Sequence, residues 1–378
     1  MEVLWTQKLM CKKLNKANAA IAIIGTVGVP ANYGGFETLV ENLVKYHDAV
    51  SLHDSLTVYC SGKSYLSKEP SFLSAHLKYI PLNANGAQSI PYDIVSLFSA
   101  VWNRNDVILL LGVSGAIALP LVRILSSARI VTNIDGIEWR RDKWQGLTKR
   151  FLRFSEKMAV RFSHEIITDN AAIADYVQQT YGVGSHEIAY GGDHAVTVEA
   201  KSASEYRLPE NYSFSVCRIE PENNVHVILE SFSRLKQHSL VMVGNWNNSE
   251  YGRAVRERYA IYKNIFLIDP IYDLGKLKTL RSQATLYIHG HSAGGTNPSL
   301  VEAMHFGKPM IAFDCSFNRC TTENKSYYFT TSQQLQDLIC SVAVNDSMKV
   351  GRDMLELAQR RYAWTIVAKQ YFSLIQGL

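Results

Sequence analysis

Short, wholly apolar runs recur along this 378-residue chain, each ended by glycine or a polar turn and followed by apolar residues at helical spacing. Residues 20–24, 57–60, 77–80, 107–111, 129–133 and 165–168 form one series, and 214–216, 240–243, 265–268, 286–289 and 309–313 form a second. A strand that is apolar on both faces must be covered on both, and helices between consecutive strands supply that cover while returning the chain for parallel pairing. The pattern predicts an α/β chain of two doubly wound, Rossmann-like domains. The first is expected at 18–198 and the second at 205–358, with periodicity lost between them and a helix at 359–378 crossing back onto the first. Ligands of such sheets gather beyond the carboxyl ends of the strands, so the cleft between the domains is the expected site.

Composition narrows the function classes. With 47% hydrophobic and 19% charged residues the chain reads as an ordinary folded protein. A net charge of +5 and a pI near 8.7 favour acidic substrates or an anionic membrane surface over a nucleic-acid coat. Aromatic residues are not interleaved with basic ones as an RNA platform requires, and no Gly-x-Ser-x-Gly elbow of a nucleophilic hydrolase occurs. Cysteines at 11, 60, 217, 315, 320 and 340 have neither metal-site spacing nor a secreted framework, so a reducing, cytoplasmic compartment is expected. The apolar run 107–122 is broken by Gly112, Ser114, Gly115 and Pro120 and reads as a strand then a helix, not a span. Residues 1–16 lack the continuous apolar centre of an export signal.

The densest chemistry lies at 288–309, where a strand, a glycine turn and a capped helix follow without a gap. Asn297 is an N-cap, Pro298 suits the first helical position, and Gly307 with Pro309 closes the helix. The amides around Gly295, Thr296, Asn297 and Ser299 are then expected to face an anion, and Glu302, about one turn on, to accept hydrogen bonds from a sugar hydroxyl of the same ligand. A nucleotide carrying a sugar meets both needs.

The loop 25–35 places glycines where backbone approaches a ligand or simply turns tightly, and Gly34 and Gly35 lead into a helix that can aim amides at phosphate. Asn32, Tyr33 and Glu37 beside it are candidate acceptor contacts. Asp135 and Glu138 follow a strand at its carboxyl end and are candidate catalytic groups; capping a helix or pairing with Arg140 or Arg141 would explain them equally. His289 and His291 flank Gly290 but have no further ligand nearby to complete a zinc set, so a donor-site hydrogen bond is the reading for both. No Asp-x-Asp pair occurs, so no metal is expected to bridge a diphosphate. Residues 139–162 carry Arg140, Arg141, Lys143, Lys149, Arg150, Arg153, Lys157 and Arg161, with Leu147, Phe151, Phe154 and Met158 at helical spacing. Such a helix either docks on an anionic bilayer or turns its apolar stripe to the core.

The motifs GTVGVPANYGGFET (25–38), NIDGIEWR (133–140), CRIEPENN (217–224) and the 289–309 block, with shorter echoes at 168–170 and 189–193, resemble the GT-B nucleotide-sugar glycosyltransferases of family four. The likeness is closer to the bacterial rhamnosyltransferase-like subgroup of cell-wall and capsule polysaccharide assembly. It covers nearly everything after residue 18 and implies a metal-independent hexosyltransferase without a cofactor, working with retention of configuration. The implied substrates are a nucleotide-sugar donor, dTDP-rhamnose in this subgroup, and a lipid-diphosphate-linked glycan acceptor at the inner face of the membrane. It also implies that Arg218 and the 296–299 amides hold the donor diphosphate, Glu302 its pentose, and that Asp135 orients or deprotonates the acceptor hydroxyl. Two positions depart from the wider family: Gly294 stands where a first glutamate is usual, and Asn223 where a lysine is. A UDP- or GDP-sugar transferase, a nucleotide-sugar epimerase and a non-catalytic sugar-nucleotide sensor are the alternatives.

Overall fold

A computed structural model describes residues 18–31, 34–134, 136–137, 139, 146–342 and 347–377, and in it the two series of apolar runs become two sheets. The first contains β1 (Ala20–Ile24), β2 (Ser55–Ser61), β3 (Ser71–Phe72), β4 (Ala75–Ile80), β5 (Val107–Leu111), β6 (Arg129–Ile134), β7 (Glu165–Thr168) and β8 (His186–Glu187), in the order β3-β4-β2-β1-β5-β6-β7-β8. All neighbours are parallel except β3 with β4. The helices between them are α1 (Gly35–Ala49), α2 (Ser89–Trp102), α3 (Leu119–Leu125), α4 (Gly146–Phe162), α5 (Ala171–Tyr181) and α6 (His194–Thr197).

The second sheet runs β11-β10-β9-β12-β13-β14, from β9 (Ser213–Val216), β10 (Leu240–Val243), β11 (Ile265–Ile268), β12 (Leu286–His289), β13 (Met310–Phe313) and β14 (Tyr327–Phe329), all parallel. Its helices are α7 (Val225–Arg234), α8 (Glu250–Tyr259), α9 (Leu274–Gln283), α10 (Pro298–Met304), α11 (Ser316–Thr321), α12 (Ser332–Val342) and α13 (Ser347–Arg361). Strand order reverses at β1 in one sheet and between β9 and β12 in the other, so the loops after these strands lie where doubly wound sheets open a crevice.

The apolar logic holds strand by strand. Every residue of β5 and β10 is buried, as strands covered on both faces require. On α1 the buried face carries Leu39, Val40, Leu43 and Val44, the i, i+1, i+4, i+5 stripe of an amphipathic helix. The last helix, α14 (Trp364–Gln376), returns to the first domain as expected. Phe372 stacks on Tyr46 of α1 with centroids 6.0 Å apart, Asn133 donates to the Tyr371 hydroxyl, and Gln376 donates to Asp54 at 2.7 Å.

The structure departs from the sequence reading in two places. The edge strands β3, β8 and β14 were not anticipated, because two or three residues such as Ser71–Phe72 or His186–Glu187 carry no usable pattern. On α4 the buried face is Leu152, Ser155, Glu156, Ala159 and Val160, not the Leu147, Phe151, Phe154, Met158 stripe. Leu147 is 80% and Phe154 50% exposed, and Phe151 and Met158 are half-buried. The polar members are buried because they are bonded: Ser155 donates to the Val113 carbonyl, and Glu156 Oε1 accepts from Tyr176 and Tyr181. No helix among the described residues is long and apolar enough to cross a membrane.

Candidate functional site

The turn before α10 is built as its sequence demands. Asn297 Oδ1 accepts from the Ser299 amide at 3.0 Å and the Ser299 hydroxyl at 2.8 Å, and Pro298 opens the helix. Gly294 sits at φ +98°, a conformation that strains any side-chain-bearing residue.

The loop after β12 is tied to the loop after β9. Ser292 donates through both its amide and hydroxyl to the Glu222 carbonyl at 2.9 Å, Asn224 donates to the Gly290 carbonyl at 2.8 Å, and Asn223 Oδ1 lies 2.7 Å from His291 Nδ1. Asn223 also donates to the Arg218 carbonyl at 2.7 Å. This buried amide joins the two loops. Arg218, just past β9, is exposed, its guanidinium 3.8 Å from Glu220 Oε1.

Four segments of the first domain converge on residues 294–302. A methyl group added at Gly35 would lie 3.8 Å from the Pro298 ring, at Gly136 3.4 Å from Gly294 Cα, and at Gly192 2.7 Å from the Glu302 amide nitrogen. The fourth is the turn after β7: Asp169 Oδ2 accepts from the Thr296 amide at 3.0 Å, and the Thr296 hydroxyl donates to the Asp169 carbonyl. Next to it, Asn170 caps α5 and donates to Thr321 of α11 at 3.1 Å. The cleft is thus lined by backbone at glycines and by one carboxylate reaching across.

Glu302, its side chain 16% exposed, lies at this junction. Arg281 of α9 donates to its Oε2, and His194 Nε2 of α6 lies 3.3 Å from its Oε1. Burial pushes its carboxyl pKa up, but Arg281 and His194 together outweigh burial and hold it below the usual carboxylate value. Arg281 is itself only 4% exposed, so the pair is a desolvated one.

Several expected contacts change in this light. The Thr296 amide is taken by Asp169 and the Ser299 amide by Asn297, so neither faces the cleft open as the anion reading supposed. His289 is 2% exposed, packed between Tyr287 and His291, with burial pushing its pKa well below the ordinary histidine value. His291 is spent on Asn223. Glu37 is 7% exposed and accepts from the Val27 amide at 2.7 Å and the Thr26 hydroxyl at 3.2 Å, clamping its own loop. Gly35 does meet the second domain at Pro298, whereas Gly34, at φ +139°, abuts Glu37 of its own domain; Gly295 abuts Asp169. Asp135, Glu138, Asn32 and Tyr33 lie outside the described residues.

Asp169, His194 and Arg281 were assigned no role from sequence. The double glycine at 191–192 before Asp193 and His194 was the available signal, since adjacent glycines mark close backbone approach. Arg281 gave none. Among the described residues no group of three or more His, Cys, Asp or Glu is placed to hold a metal ion.

Comparison with known proteins places this geometry. Residues 198–345 match the family model "Glycosyl transferases group 1", and residues 18–193 match "Domain of unknown function (DUF1972)". No curated protein matches the sequence significantly. Sucrose-phosphate synthase from Thermosynechococcus elongatus superposes with a TM-score of 0.77 at 15% identity, over 95% of this chain and 99% of that one. HepE from Anabaena in complex with UDP does so at 0.70 and 17%, over 95% and 100%. The alpha,alpha-trehalose 6-phosphate synthase from Burkholderia multivorans does so at 0.71 and 10%, over 96% and 97%. At these identities the shared property is the fold. With residues 198–345 matching the group 1 glycosyltransferases and two Rossmann-like domains facing across a cleft, the chain has the GT-B fold and is a glycosyltransferase.

Proposed function

We propose that this enzyme takes a sugar from a nucleotide-sugar donor, L-rhamnose from dTDP-rhamnose, and transfers it to a lipid-diphosphate-linked glycan acceptor in surface polysaccharide assembly. The observation that carries the reading is the convergence of four first-domain segments on residues 294–302, with exposed Arg218 at the carboxyl end of β9. In this reading Arg218 holds the diphosphate as it leaves, without a metal, Glu302 accepts hydrogen bonds from the pentose, and Asp135 orients the acceptor hydroxyl, with Glu138 beside it. Donor leaving and acceptor attack share one face of the sugar, which retains its configuration. The donor sugar and base rest on the sequence resemblance; a UDP donor is the second reading, favoured by the fold shared with HepE, whose structure is in complex with UDP.

The exposed face of α4 supports a peripheral position on an anionic bilayer. Leu147 and Phe154 are exposed on a helix whose other exposed residues include Lys149, Arg150, Arg153, Lys157 and Arg161. Such a surface suits an acceptor carried by lipid.

The test is calorimetric titration with dTDP, UDP and GDP, each with and without magnesium, followed by turnover of dTDP-rhamnose in a membrane extract. Tightest binding of dTDP, independent of magnesium, with sugar entering the lipid fraction is the expected result. Preference for UDP or GDP removes rhamnose and keeps the fold; binding of none of them removes the nucleotide-sugar reading.

A further inference from the structure

Glu302 stands at the end of a series of side chains that begins in the C-terminal helix. Trp364 opens α14 at the point where the chain crosses from the second domain to the first. It is held there on three sides: its amide donates to Asp193 Oδ1 at 2.8 Å, its ring meets Tyr190 edge-on with centroids 4.8 Å apart, and a side chain at Gly191 would collide with it at 2.4 Å. The indole Nε1–H then donates to His194 Nδ1 at 2.9 Å. An indole N–H only donates, so Nδ1 is the bare nitrogen of a neutral imidazole and the ring proton sits on Nε2. That Nε2 is the atom 3.3 Å from Glu302 Oε1. Arg281 holds the other oxygen.

We infer that His194 and Trp364 are positioning residues for Glu302: the indole sets the tautomer of the imidazole, and the Nε2–H sets the rotamer of the carboxylate that receives the donor. The inference rests on the reading of Glu302 as a donor contact. Each arm does a separate job. Arg281, from the same domain, supplies charge; His194, from the crossover, supplies direction, as an outer partner does for a ligating side chain. Without His194 the carboxylate is free to turn toward Arg281 alone, and a donor must then order it on binding, which weakens affinity.

Four variants of the full chain test this: H194A, H194Q, W364F and E302A, each titrated with whichever of dTDP, UDP or GDP binds the wild type most tightly. Glutamine presents an acceptor and a donor at nearly the spacing of Nδ1 and Nε2–H, so it reproduces the proposed bonding without a titratable ring. H194A is expected to raise the Kd about tenfold, the worth of one charge-assisted hydrogen bond, and H194Q to return it to within about twofold of wild type. Nitrogen-15 NMR of labelled histidine is expected to show His194 protonated at Nε2 in the wild type and a mixture of tautomers in W364F. Equal Kd values for H194Q and H194A in folded protein, or an Nδ1-protonated His194 in the wild type, would overturn the inference. Loss of binding in E302A with normal Kd in H194A and W364F overturns the positioning role alone. Normal binding in E302A removes the donor role of Glu302, and the positioning role with it.

Discussion

Glu37 and Glu302 occupy matching places in the two domains: each lies in the first turns of the helix that follows a central strand and a glycine loop. Their environments are opposite. Glu37 is consumed by residues about ten positions earlier, holding the Val27 amide and the Thr26 hydroxyl of its own loop. Glu302 is held by Arg281 and His194, residues from two other helices, one of them at the crossing between domains. A carboxylate in a βα turn is therefore no evidence of a ligand contact by itself. In the proposed reading the carboxylate that holds its own loop is structural, and the one positioned by Arg281 and the neutral His194 is the donor contact.

The largest effect that would break or sharpen this contrast is expected from Glu302→Ala. It leaves the buried Arg281 guanidinium without its partner, which costs roughly 3–5 kcal/mol of stability, and it abolishes measurable nucleoside-diphosphate binding; chemical denaturation and calorimetry check the two parts. The pair also has a pH signature. Because the folded-state pKa of Glu302 lies below its unfolded value, its contribution is complete above the unfolded carboxyl pKa of about 4.3 and fades as pH falls through the lower folded value. The stability gap between wild type and Glu302→Gln should therefore be constant near neutrality and shrink in acid; a gap that grows in acid would remove the ion pair from the account.

Next in size is Gly192→Ala. The new methyl would meet the backbone of Val301 and Glu302 at 2.7 Å, so the crossover and α10 must separate, at a cost of about 2 kcal/mol together with weaker nucleotide binding. Unchanged melting temperature and Kd would mean that the two backbones are not in contact in solution. Glu37→Ala follows, with about 1–2 kcal/mol lost from two broken loop bonds but a Kd for nucleotide far less affected than in Glu302→Ala. Equal losses of affinity in the two alanine variants would erase the difference between the two carboxylates. The smallest effect on stability is expected from Leu147→Ser with Phe154→Ser on α4, within about 0.5 kcal/mol because both side chains already face solvent. Their binding to phosphatidylglycerol vesicles should nonetheless drop, as a sedimentation assay would show; undiminished binding excludes this face as the docking surface.

Much of the site was legible where it is local. The Asn297 cap spans two residues, Pro298 needs only its own ring, and the left-handed turn at Gly307 is a property of one residue. The strand positions were legible for the same reason: β1, β5, β7, β10, β11 and β12 are short runs of residues that water rejects on both faces. The sequence stopped short, or misled, where one local pattern has two tertiary outcomes. The repeat of Leu147, Phe151, Phe154 and Met158 is a sound helical stripe, yet the face that went to the core carries Ser155 and Glu156, whose burial is possible only because Val113, Tyr176 and Tyr181 bring partners. Thr296 was read as an open amide because Asp169, 127 residues away, is invisible from within its own loop.

By itself the amino-acid sequence determined the two mainly parallel sheets, the order of strand and helix, the glycine turns and the C-terminal helix, because hydrophobic period, capping and backbone strain act over a few residues. Only the tertiary structure decided which partners each carboxylate has, which amides are taken and which face of α4 meets water. Those outcomes depend on Arg281, His194, Asp169 and Trp364 arriving from distant parts of the chain, and the energy of a buried polar group is set by the partner that reaches it rather than by its neighbours in sequence.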